Sequence, residues 1–95
     1  MNALQKNTHC WFEDLRASRD LNEKDKAGYS MLLEWFESWR VSQSLPPGRE
    51  SAIAFWRAQV QSKPRQDWQL QQWSEAIRWY LEWLTICLDQ GREVK

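Results

Sequence analysis

Glycine, proline, cysteine and histidine are all scarce here: the 95 residues include three Gly, three Pro, two Cys and one His. Few Gly and Pro leave few places to break the chain, which favours long helices over many short strands joined by tight turns. No glycine-rich phosphate loop and no H-E-x-x-H pair is present. Two cysteines are too few for a disulfide framework, so the expected compartment is reducing. One His and two Cys do not complete a four-ligand zinc site, and neither a metal nor a cofactor is expected. There is no apolar run long enough to cross a bilayer and no signal-peptide pattern, so no membrane partner is expected either. Charge of one sign is also lacking, since 13 basic residues balance 13 acidic ones.

Aromatic residues are abundant instead: eight Trp, three Phe and two Tyr. A chain of this length forms one domain and buries only about 60–65% of its extended surface. Large rings compensate, because each buries ~150–250 Å². The zero net charge hides an uneven distribution. Residues 1–39 carry five basic and seven acidic groups, whereas residues 40–65 carry Arg40, Arg49, Arg57, Lys63 and Arg65 against Glu50 alone. Residues 66–95 return to an acidic balance, with three basic and five acidic groups. Two readings of this basic centre stay open: a face for phosphate, or solvated arginines on an amphipathic surface.

The stretch from Trp68 to Leu88 reads as one long helix around which the rest packs. At 100° per residue Leu70, Trp73, Ala76, Ile77, Tyr80, Leu81, Leu84, Cys87 and Leu88 share an apolar arc, with Trp83 at its edge. A second strip, Trp68, Trp79 and Ile86, lies almost opposite. It implies either burial on two sides or a protein partner. Upstream, Trp11, Phe12 and Leu15 suggest a short helix after a loose leader. Asn22 is placed to cap a helix over about 23–42, with Tyr29, Leu32, Trp35, Phe36 and Trp39 inward. Gly28 on that face leaves room for another helix, and Glu34, Glu37, Ser38 and Arg40 are expected outward. Leu45-Pro-Pro-Gly48 is a stop. Gly48 then caps a helix from Arg49 to about Gln61, with Ile53, Trp56 and Val60 inward, Ala52 beside them, and Phe55 pointing elsewhere. After Ser62-Lys-Pro-Arg65, Asp67 is expected to cap the long helix and Gly91 to end it. The expected fold is an all-α compact bundle of three main helices plus a short N-terminal one.

No catalytic constellation emerges. A histidine-based triad would depend on His9, in the leader. Glu34 and Glu37 share a helix face at i, i+3, but on its polar side, where solvated charge is expected; Glu75 and Glu82 read the same way. Cys87 is expected as a buried thiol. Cys10 beside His9 reads as a reactive pair or as a small residue of the short helix. No enzyme activity is expected of this chain.

Four stretches carry a resemblance: Leu33-Glu-Trp-Phe-Glu-Ser-Trp-Arg40, Leu45-Pro-Pro-Gly-Arg-Glu50, Ala54-Phe-Trp-Arg57, and Lys63 through Leu84. Over about residues 28–88 the chain resembles the N-terminal region of integron-type and phage-type tyrosine recombinases. There a small SAM-like, core-binding helical domain precedes the catalytic domain. The resemblance implies DNA binding as one half of a clamp around duplex DNA, in the cytoplasm of a bacterium. It implies that the nucleophile and its helpers lie in the catalytic domain of the parent integrase, and that this chain is a piece of that longer protein. Residues 1–21 are then a leader and short helix, and residues 22–95 the helical domain. Candidate DNA contacts are Arg40, Arg49, Arg57, Lys63, Arg65 and Arg78 toward phosphates, with Arg49 at a helix start that also favours an anion. Gln69, Gln71 and Gln72 carry the donor–acceptor geometry that reads adenine, or are plain polar helix surface. The domain type is usually basic and this chain is neutral. The alternative function is therefore a protein-interaction module that meets other recombinase domains or subunits through Trp68, Trp79 and Ile86.

Overall fold

Asn22 begins the first long helix as its spacing predicts: its Oδ1 accepts a hydrogen bond from the Asp25 N–H at 2.8 Å. The structure, a computed structural model, describes residues 11–89. Within them the helices are α1 (Trp11–Ala17), α2 (Glu23–Ser42), α3 (Arg49–Phe55, continuing as a π-helical turn over Trp56–Val60) and α4 (Asp67–Asp89). No strand occurs among the described residues. His9, Cys10 and Gly91 lie outside them.

The end of α2 is closed by a Schellman motif. The Leu45 N–H donates to the Arg40 carbonyl and the Ser44 N–H to the Val41 carbonyl, both at 3.0 Å. This requires a left-handed residue between helix and loop, and Ser44 takes it with φ 59°. Glycine is the usual occupant, so a serine there does not announce the motif. Pro46 and Pro47 then carry the chain away, and the Pro46 carbonyl accepts a hydrogen bond from the Ser51 hydroxyl, tying the loop to α3. At the head of α4 the cap is Gln66, not Asp67. The Gln66 carbonyl accepts from the Gln69 and Leu70 N–H groups, and the Gln69 side chain accepts from the Gln66 N–H at 2.9 Å. That is the reciprocal half of a capping box. Asp67 instead occupies the first turn, where its charge suits the helix dipole.

The α3 segment departs most from expectation. Phe55 is 0% exposed and central, whereas Ile53 is 40% exposed. The cause is the π turn, in which the Gln61 N–H reaches back five residues to the Trp56 carbonyl at 2.8 Å. One extra residue per turn lets Phe55 and Val60, five apart, both face inward and rotates Ile53 out. Phe55 meets Trp35, Phe36 and Trp39 at centroid distances of 4.9, 5.2 and 5.7 Å.

The core lies chiefly between α2 and α4. Tyr29, Leu32, Leu33 and Phe36 face Trp73, Ala76, Tyr80, Trp83, Leu84 and Cys87. The buried arc of α4 is thus rotated toward Trp83, and Ile77 and Leu81, expected inside, are only partly buried. Trp83 is held by its indole N–H donating to Asp14 Oδ2 at 2.6 Å. Leu15 of α1 is fully buried, so the short helix belongs to the same core. At Gly28 a Cβ would stand 2.6 Å from the Gln72 amide atoms, so the missing side chain does admit α4.

Candidate nucleic-acid interface

The basic candidates divide by environment. Arg40 is not outward: it is only 6% exposed. Its Nε and Nη2 donate to the two carboxylate oxygens of Glu37 at 3.0 and 2.8 Å. Its Nη1 donates to the Leu45 carbonyl at 2.8 Å. Glu37, expected to be solvated, is half-buried and also accepts from the Tyr80 hydroxyl at 3.2 Å. This fork-to-fork pair locks α2 to its own C-terminal loop and to α4. The Glu37 hydrogen bond raises the Arg40 pKa further, so the guanidinium stays charged. Arg65 is likewise occupied. Its guanidinium donates to the Val60 and Gln59 carbonyls at 3.1 and 2.9 Å and lies over the rings of Trp35 and Trp73. It closes the π turn onto the start of α4.

Arg49, Arg57, Lys63 and Arg78 are exposed. None has a side-chain hydrogen bond or ion pair among the described residues; the only ion pairs there are Lys26–Glu23 and Arg40–Glu37. Of the glutamines, Gln69 is engaged at the cap, Gln72 is half-buried against Gly28, and Gln71 contacts Glu75 at 3.4 Å. Arg49 and Arg78 border one groove; with Arg57 and Lys63 they are the candidate cations left exposed, without a free row of base-reading amides.

The strip of Trp68, Trp79 and Ile86 is unevenly exposed. Trp68 is 63% exposed at the start of α4. Trp79 is half-buried and stacked on Trp83 at 6.5 Å. Ile86, 53% exposed, also borders a further feature. That feature is an open groove of about 740 Å³ between α3 and α4, walled by Ile53 and Trp56 on one side and Ile77, Leu81 and Ile86 on the other. Arg49, Arg78 and Glu82 stand on its rim. The groove exists because α3 packs against α2 and leaves α4 uncovered on that side. Sequence periodicity could not show it, since Ile77 and Leu81 look like ordinary core positions.

The tyrosines are buried acceptor-paired phenols. Burial foremost, then Glu75, whose carboxylate accepts from its hydroxyl at 3.2 Å, pushes Tyr29 up to about 12 from 10.0. Burial foremost, then the Glu37 charge, pushes Tyr80 up as well. Both folded-state values exceed the unfolded one, so the unfolded chain binds fewer protons once pH passes 10. Stability is expected to be unaffected below pH 10 and to fall as pH rises from 10 toward 12. Phenolate absorbance and helical dichroism should change together in an alkaline titration. Phenolate appearing at pH 10 with the helices intact would contradict the burial.

Among the described residues no group of three or more His, Cys, Asp or Glu side chains is gathered as a metal site, and no helix is long and apolar enough to cross a membrane. Comparison with protein-family models, curated proteins and solved structures gave no match to this chain.

Proposed function

We propose that this chain is a non-catalytic, SAM-like helical domain of a tyrosine-recombinase integrase. It lies against the backbone of duplex DNA while a separate catalytic domain of the parent protein performs strand exchange. The observation that carries this reading is the set of exposed cations, Arg49, Arg57, Lys63 and Arg78, left without side-chain partners among the described residues in a chain of zero net charge. Arg40 and Arg65 drop out of the contact list because the fold uses them internally. Gln69 and Gln72 drop out as base readers for the same reason. Contacts to phosphate alone position a protein without reading sequence, so the domain contributes affinity and orientation.

The test is a titration of this chain on random duplex DNA over a salt series. Four neutralised phosphates give a slope of log K against log salt of about −3 to −4. The double substitution Arg49→Ala, Arg57→Ala should flatten it by about 2. A salt-independent affinity, or a slope that the double substitution leaves unchanged, overturns the proposal.

A further inference from the structure

The groove between α3 and α4 has a counterpart on a separate surface, since no residue of α2 lines it. Along the outward face of α2, Lys24, Ala27, Met31, Glu34, Ser38 and Val41 recur at alternating steps of three and four, and all are exposed. Met31 and Val41 are 59% and 64% exposed, among the most exposed large apolar residues described. Such a stripe on a helix whose other face is already buried is a seam without a partner among the described residues.

We propose that this stripe docks into the groove of a second copy of the chain. The lengths agree: at 1.5 Å per residue, Met31 to Val41 rises about 15 Å and Ile77 to Ile86 about 13–14 Å. The chemistry agrees too. Met31 and Val41 meet an apolar floor, and the Glu34 carboxylate, about 4–5 Å along the axis from Met31, meets the cationic rim of Arg49 and Arg78. None of these three charged side chains has a hydrogen bond or ion pair among the described residues, so docking breaks none. Because stripe and groove are different surfaces, the contact is head-to-tail and each copy keeps one of each free for the next. A single helix in a groove falls below the area of a standard interface, so the association is weak. The inference does not rest on DNA binding, but it shares Arg49 and Arg78 with the proposed phosphate contacts, so a docked copy covers two of those four cations.

The test is sedimentation equilibrium of the chain from about 10 µM to about 1 mM, the range suited to weak interfaces. The mass should rise with concentration above the monomer's 11.5 kDa. Met31→Ser with Val41→Ser removes the stripe, and Ile53→Ser removes part of the groove; Ile86→Ser is the alternative groove variant if Ile53→Ser lowers the helical signal. Each should weaken association about tenfold or more. Mixing a stripe variant with a groove variant leaves one good joint, so dimers form and nothing larger. At concentrations where the chain is monomeric, stripe substitution should leave the salt slope of DNA binding unchanged. A chain monomeric throughout, association indifferent to both surfaces, or mixed variants that fail to pair would each overturn the proposal.

Discussion

Replacing Phe55 with alanine should cost about 3–5 kcal/mol, the range for deleting a fully buried ring. Phe55 is 0% exposed and is the one ring that touches Trp35, Phe36 and Trp39 together. The pairs with Trp35 and Phe36 are edge-on and contribute beyond the buried area, and three large neighbours held on one helix cannot collapse into the space. For a domain whose whole stability is ~5–15 kcal/mol, this approaches unfolding. A fall in melting temperature of about 15–30 °C is expected. Ile53→Ala is the informative control. Regular α-helical spacing makes Ile53 the core residue of α3, but its 40% exposure limits the loss to about 1 kcal/mol. Thermal unfolding of both variants decides the matter: Ile53→Ala more damaging than Phe55→Ala would mean that the π turn does not set the register.

Arg40→Ala should destabilise the chain by about 2–4 kcal/mol, somewhat below the range for breaking a fully buried pair because Glu37 retains some solvent contact. The substitution strands the Glu37 carboxylate, leaves the Leu45 carbonyl without its donor and removes a packed aliphatic stem. Arg40→Lys should recover little, since an ammonium does not reproduce a two-pronged contact to a carboxylate while also reaching Leu45. Arg49→Ala, at an exposed site without a partner, should change stability by less than about 0.5 kcal/mol. Urea unfolding of the three variants separates structural from available arginines. Equal, small effects of Arg40→Ala and Arg49→Ala would return Arg40 to the surface.

Much of the architecture is legible in residue spacing. The Asn22 cap, the Pro46-Pro47 break, the inward face of α2 and the close approach at Gly28 all follow from local rules. What escaped reading shares a physical origin. Periodicity assumes a constant rotation per residue, and the π turn violates that assumption at Trp56–Val60. Polarity suggests exposure, yet Arg40 is buried because Glu37 and the Leu45 carbonyl satisfy it, and the second of these depends on the loop geometry that Ser44 provides. Arg65 is drawn inward by two indole faces from separate helices, a pairing that no single helix pattern contains. The candidate site was therefore legible as a charge-rich region but not as a sorted set. The groove depends on how far α3 stands from α4, which is a property of the assembled bundle.

The π turn also bears on how such chains vary by descent. A segment that holds one more residue than regular winding requires has slack in its length. Loss of an exposed position such as Ala58 leaves Phe55 and the residue now numbered Val60 four apart, the spacing at which an ordinary helix also turns both inward. A one-residue gap here, between this chain and any homologue, would record a change of winding with the same interior retained, and not a change of fold.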